Sequence, residues 1–208
     1  MRIFVVGGSK GVGRQVAEQA LAAGHQVTVM ARRPRSEEVE ALEGVEVVAG
    51  DATEPQPIHD AVAGHDAVVI AVGGGLSDRS TRTIATANAL GGMQHHGVPR
   101  VVAVSSIGAG DSYGRLGFAG KAIMKTFLRN AMKDHNKQEE ALQGSGLAWT
   151  IVRPGGLADG RTGHDVIDDD TSKLSAKKRV GRADVAEVIL QALDKPEWTR
   201  RAVHVVGV

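Results

Sequence analysis

The sequence predicts an α/β protein in which one doubly wound parallel sheet lies between two layers of helices. Short Val-rich runs alternate with segments of helical period along the chain, the order in which strands and crossover helices follow one another in a parallel sheet. Several runs are apolar throughout, as strands covered on both faces require. A glycine-rich turn, Gly7-Gly8-Ser9-Lys10-Gly11-Val12-Gly13, joins the first strand to the first helix with no spacer.

The runs place strands at 2–6, 26–30, 45–49, 66–72, 100–104, 147–152 and 202–206, and helices at 11–23, 36–42, 56–62, 79–96, 117–143 and 182–194. In the first helix Val12, Val16, Ala20 and Ala23 share one stripe. In the last, Val185, Val188, Ile189, Ala192 and Leu193 do the same, and Pro196 stands just past the end. The stretch 155–180 breaks the alternation. It is polar and aperiodic, with the runs Asp168-Asp169-Asp170 and Lys177-Lys178-Arg179. It reads as a long loop over the carboxyl end of the sheet, a lid. No repeat or linker divides the chain, so residues 1–208 are expected to form one domain.

Composition narrows the function. A length of 208 residues allows one sizeable core. A net charge of +1 makes no case for nucleic acid or an acidic membrane as partner. With no cysteine, disulfides, thiol catalysis and cysteine metal sites are excluded. No apolar run reaches membrane-spanning length. A first strand at residue 2 leaves no room for a signal peptide, so a cytoplasmic location is expected.

Strand, glycine turn and helix in that order form a cradle for the phosphates of a dinucleotide. Gly7 turns the chain off the strand, Gly11 leaves room for a pyrophosphate, and Gly13 lets the helix pack on the strand. The free N–H groups of the first helical turn face the anion. The second strand ends in Arg32-Arg33, about twenty residues past the glycines, where the ribose-reading residue stands. Two guanidiniums suit a 2′-phosphate, and Lys10 adds a third positive charge, so NADP(H) is the expected cofactor.

Other strand ends carry further candidates. Asp51 either accepts a hydrogen bond from the adenine amino group or forms a turn. Gly73-Gly74-Gly75 either lets backbone approach a ligand or is a plain loop. Ser105-Ser106 ends the fifth strand beside the chain-order reversal, where a hydroxyl reaches cofactor or substrate, or else caps a helix. The histidines show no H-x-x-x-H spacing with a supporting acid, and His95-His96 falls in the last turn of a helix, where His is at home. No metal site is expected, and Asp168–Asp170 reads as solvated loop.

These stretches together resemble the short-chain dehydrogenase/reductase superfamily over nearly the full length. Gly7-xxx-Gly11-x-Gly13 matches its glycine spacing. Gly50-Asp51, Ser105-Ser106 and Ser145-Gly-Leu-Ala-Trp-Thr-Ile-Val-Arg-Pro-Gly156 are similar to its atypical, extended-type branch. The NADPH-dependent flavin reductase/biliverdin-IXβ reductase group shares Asp134-His135, a following helix ending in Ser-Gly-Leu, and the strand leading to Pro154. The resemblance implies a single Rossmann-type, three-layer αβα domain. It implies pyrophosphate at Gly7, Ser9, Lys10, Gly11 and Val12, and the 2′-phosphate at Arg32. Adenine would lie between Asp51 and Ala52, its ribose at Val72 and Gly73, and the nicotinamide end at Ser105, Ser106, Pro154 and Gly155.

The departures bear on chemistry. The superfamily's Tyr-xxx-Lys pair is expected at 133 and 137, where Lys133 and Lys137 stand. The one tyrosine, Tyr113, has Gly117 four residues on. The flavin/biliverdin group's histidine after the sixth-strand proline is here Gly155. Ketone reduction makes an alkoxide whose conjugate acid has a pKa of about 16, so it calls for a positioned acid. A flavin or linear tetrapyrrole spreads the arriving charge and needs mainly to be held against the nicotinamide. The expected activity is therefore an NADPH-dependent reductase of a flat conjugated acceptor (flavin, biliverdin or quinone-like), with Ser106 orienting the reactants and His135 as proton source. The alternative is a non-catalytic NADP(H)-binding redox sensor that acts through a protein partner and offers an exposed apolar patch near the lid. The expected partners are a small-molecule acceptor and, at most, a few copies of the same chain, as a monomer or small homo-oligomer, with no nucleic acid and no membrane.

Overall fold

The computed structural model describes residues 1–74, 80–174 and 178–208. The first half runs β1 (Arg2–Val6), α1 (Gly11–Ala22), β2 (Gln26–Ala31), α2 (Glu37–Glu40), β3 (Glu46–Ala49), α3 (Pro55–Val62), β4 (Ala67–Ile70), α4 (Thr81–His96) and β5 (Arg100–Val104). A 3-10 turn, Gly110–Arg115, leads to α5 (Phe118–Lys125), α6 (Arg129–Gly144) and β6 (Ala148–Pro154). The rest is β7 (Leu157–Ala158), β8 (His164–Ile167), β9 (Val180–Gly181), α7 (Arg182–Asp194), a second 3-10 turn and β10 (Arg201–Gly207).

The large sheet has the order β3-β2-β1-β4-β5-β6-β10-β8. Seven strands are parallel, and β8 joins antiparallel to β10, with Ile167 opposite His204. Chain order reverses between β1 and β4. The carboxyl ends of those two strands therefore open a crevice, the place where such sheets bind ligands.

Side chains alternate between the faces of a strand, and β1 uses both. Ile3 and Val5 pack with Val16 and Ala20 of α1 and Val188 and Ile189 of α7. Phe4 and Val6 pack with Ile58 of α3, Met93 of α4 and Leu142 of α6. All four β1 side chains are fully buried, which contributes roughly 1.5–3 kcal/mol each. This is the three-layer arrangement expected from the alternating pattern.

Two expectations need correction. The helix expected over 117–143 is two helices. α5 ends at Thr126, its C-cap (φ −101°, ψ −78°), whose hydroxyl donates back to the Ala122 carbonyl at 2.8 Å, a bond that bends helices, and α6 starts afresh at Arg129. The stretch 155–180 is not free of secondary structure. β7 pairs with β9 in parallel, and β8 extends the sheet. Strands of two to four residues are too short to show a period. Gly75, Lys177 and residue 79, the expected start of the fourth helix, lie outside the described residues.

Candidate functional site

The glycine turn is built by close approach. Gly7 adopts a left-handed conformation (φ +88°), and a Cβ there would sit 2.8 Å from the Ala71 carbonyl oxygen beyond β4. A Cβ on Gly13 would meet the Gly7 oxygen at 2.2 Å, and one on Gly8 would meet Val29 Cγ1 at 2.6 Å. These glycines let strand, turn and α1 close on one another. Gly11 differs. It too is left-handed (φ +61°), yet a Cβ there would meet nothing nearer than Arg182 Nε at 3.8 Å. The space above Gly11, beside the first-turn amides of α1, is therefore open, as a diphosphate there would require. Gly73, across the crevice, also faces open space. Ser9 is half-buried and Lys10 exposed at the rim, while Val12 is buried in the core, which leaves its backbone rather than its side chain for a ligand.

Arg32 and Arg33 follow β2 and are exposed. Asp51, past β3, is a turn-forming aspartate. Its Oδ1 accepts from the Thr53 amide at 2.9 Å and the Thr53 hydroxyl at 2.8 Å. Those bonds, with a smaller contribution from the Arg32 charge, hold its carboxyl below the ordinary range. The Ala52 carbonyl accepts from Asn88 Nδ2 at 3.0 Å, which ties this loop to α4. Val72 packs on the core beside it.

At the ends of β5 and β6 the structure gathers a buried polar cluster. Ser105, 4% exposed, donates its hydroxyl to Glu139 Oε1 at 2.5 Å. Its Oγ lies 3.4 Å from His135 Nδ1. His135 and Glu139 are four residues apart on α6 and so share one face. Glu139 also accepts from Arg153 Nε (2.9 Å) and Nη2 (2.6 Å), a forked pair. Asp111 adds a second carboxylate to Arg153 at 2.8 Å, and His204 Nε2 lies 3.3 Å from Arg153 Nη1. Burial first, then the Arg82 charge, push the His135 pKa down to about 4. Burial does the same to His204, also to about 4. Both are therefore neutral near pH 7.

Ser106 is half-buried and donates to the Ile107 carbonyl at 3.1 Å. Pro154 and Gly155 are fixed by backbone bonds, with the Pro154 carbonyl accepting from Ile107 N and Gly155 N donating to the Val205 carbonyl. The cluster is braced from α4. Asp134 of α6 caps that helix, accepting from the amides of Arg82 (3.1 Å) and Thr83 (3.0 Å). Arg82 pairs with Asp134 at 3.3 Å and donates to the Gly74 carbonyl on the loop after β4.

Lys133 and Lys137, at the expected Tyr-xxx-Lys positions, are exposed on the outer face of α6 with Asn130, Asn136 and Glu140. The residues that face Ser105 are His135 and Glu139. Sequence reasoning missed Glu139, Arg153, Asp111 and His204. One signal was present: an arginine inside the apolar strand Thr-Ile-Val-Arg153-Pro demands a buried counter-charge. Nearby, Arg115 has Nη1 and Nη2 buried without hydrogen-bond partners, while its Nε donates to the Ser172 carbonyl. On the outside, Phe118 is 91% and Phe127 82% exposed, on and just past α5.

Fold, crevice and glycine cradle together define a dinucleotide-binding protein with the architecture of the short-chain dehydrogenases/reductases. The chain belongs to the NAD(P)H-binding family, whose model matches residues 7–196. It is similar in structure to ChuY of Escherichia coli O157:H7, described as an anaerobillin reductase. That match has 26% identity, a TM-score of 0.83, and coverage of 100% of this chain and 97% of that one. A short-chain dehydrogenase/reductase from Veillonella parvula DSM 2008, in complex with NADP, shares the fold at 20% identity. Its TM-score is 0.81, over 99% of this chain and 94% of that chain. In sequence the chain is 25% identical to YhfK of Bacillus subtilis (strain 168), described as an uncharacterized sugar epimerase, over 97% of this chain and 92% of the relative.

Proposed function

We propose that the protein is an NADPH-dependent reductase of a flat conjugated acceptor of the flavin, biliverdin or quinone class. The observation that carries this reading is the inner face of α6. His135 is held neutral by burial, and both oxygens of Glu139 are taken up as acceptors by Ser105 and Arg153. In this reading His135, expected from the sequence to be the proton source, carries no extra proton near pH 7, and the Glu139 oxygens serve as hydrogen-bond acceptors. That suits an acceptor whose reduced form is weakly basic and takes its proton from water. The anaerobillin reductase among the structural relatives fits the same class.

Bound NADPH supplies the hydride. In this reading Gly7, Ser9, Lys10, Gly11, Val12 and Gly13 hold its diphosphate, and Arg32 and Arg33 grip the 2′-phosphate. Asp51 and Ala52 flank adenine, and Val72 and Gly73 the ribose. Ser105, Pro154 and Gly155 wall the nicotinamide end, while the half-buried Ser106 presents a hydroxyl that orients the reactants. His135 serves as a positioning residue, because its Nδ1 lies 3.4 Å from both Ser105 Oγ and Gln138 Oε1. The segment 155–180 closes over the nicotinamide end as a lid.

A second reading, an NADP(H) sensor that acts through a protein partner, is favoured by one observation. The chain has three phenylalanines, and two of them, Phe118 and Phe127, stand exposed on and just past α5, with Leu116 ahead of that helix bridging to Leu174 of the segment 155–180. NADPH absorbance, followed against flavins, quinones, biliverdin and simple ketones, tests both readings. Oxidation with a conjugated acceptor and none with ketones is the expected result. Robust ketone reduction overturns the proposal, and tight NADPH binding without turnover on any acceptor favours the sensor.

A further inference from the structure

We propose that His59, His95 and His96 form a surface site for a borderline divalent transition ion, Zn²⁺ foremost. The site lies at the end of the molecule opposite the nucleotide crevice. His59 lies in the last turn of α3, and His95 and His96 in the last turn of α4. Both helices lead into parallel strands, so these turns lie at the amino edge of the sheet. The crevice is at the carboxyl edge.

Spacing in the sequence hides the triad, because His59 comes from another helix. Gly92 explains the meeting. A Cβ there would stand 3.0 Å from the His59 Cα, so its absence lets α3 lie close on α4. His95 and His96 are three and four residues further along α4, on the side of the same contact. The ring centroids of His59 lie 4.6 Å from His95 and 4.9 Å from His96, and those two are 4.8 Å apart. One ring nitrogen from each residue falls within 4.8 Å of the other two.

Zn–N bonds of about 2.0–2.1 Å in tetrahedral geometry place ligand nitrogens about 3.3 Å apart. Small side-chain rotations close the difference, and two of the three rings are exposed and free to make them. Neutral imidazole is a ligand for Zn²⁺, Ni²⁺, Cu²⁺ and Co²⁺, whereas Mg²⁺ and Ca²⁺ select oxygen. Asp60 lies beside the triad, 3.8 Å from His59 Nδ1. The tilted and edge-on ring contacts give the neutral rings only a modest gain, to which a shared ion would add three ligand bonds. Three ligands leave a fourth position to water. Bound there, the ion would join α3 to α4 and stabilise the fold in proportion to its concentration.

The test uses the full chain without a histidine tag. Zn²⁺ is titrated by calorimetry and Co²⁺ by visible absorption, with Mg²⁺ as control. One Zn²⁺ per chain is expected, together with a Co²⁺ spectrum of nitrogen ligation and a rise in thermal midpoint with Zn²⁺ but not Mg²⁺. His59→Ala, His95→Ala and His96→Ala should each weaken Zn²⁺ binding about tenfold or more, with far-UV circular dichroism unchanged. Absence of saturable Zn²⁺ binding overturns the proposal. So does binding that all three variants retain at full strength.

Discussion

Arg153 sits in the middle of a parallel sheet and is among the largest fully buried side chains. Its guanidinium is tolerable only because Glu139 and Asp111 meet it and His204 stays neutral beside it. That neutrality has a pH signature. His135 and His204 bind a proton at pH 6.5 when unfolded and only at about 4 when folded. The unfolded state therefore takes up protons first as pH falls. Stability from these two groups is fully present above pH 6.5 and lost progressively toward pH 4, by roughly 3 kcal/mol per histidine. Urea unfolding at pH 7 and pH 4.5 should show the loss, and His135→Gln should reduce it. A second residue-scale expectation concerns the exposed pair Arg32 and Arg33. Arg32→Ala and Arg33→Ala should each weaken NADPH by about 1.5–3 kcal/mol per lost charged hydrogen bond and leave NADH nearly unchanged. Equal losses for both cofactors in a binding titration would sink the assignment.

At the scale of elements, legibility followed length and periodicity. β1 with its glycine turn and α7 with its Val/Ile/Ala stripe could be read directly, since long stripes and left-handed glycines have local causes. The break at Thr126 could not, because it depends on one side chain folding back on its own helix. The polar cluster was hidden for another reason: Ser105, Glu139, Arg153 and Asp111 come from four separate elements. Asp134 shows the same limit. In sequence it stands out only as part of the Asp134-His135 resemblance, with no sign that it caps α4 across the layer. Asp134→Ala should cost at least the ~1–2 kcal/mol of a lost cap, and more because Arg82 loses its partner. A denaturation curve shifted by less would argue against this bracing. For the segment 155–180, hydrogen exchange with and without NADPH decides its role: slower exchange on binding is expected of a lid, and unchanged exchange counts against one.

For the molecule as a whole, the crevice at the β1/β4 reversal was foreseeable from strand order, and the comparisons place the chain in the family that order implies. The opposite end was not foreseeable, since the triad there needs two helices docked through Gly92.

The placement of β8 bears on how far this molecule can be re-engineered. A sheet edge with open N–H and C=O groups invites pairing with another chain. β10 carries Val203, Val205 and Val206, and β8 covers its outer side. β8 is only four residues long and includes the exposed Asp165, a poor template for a further strand. β8 thus guards this edge of the sheet against pairing with another chain. Grafting a foreign loop in place of 155–180 to change acceptor preference should yield a protein that self-associates, visible by size-exclusion chromatography, unless residues 164–167 are kept.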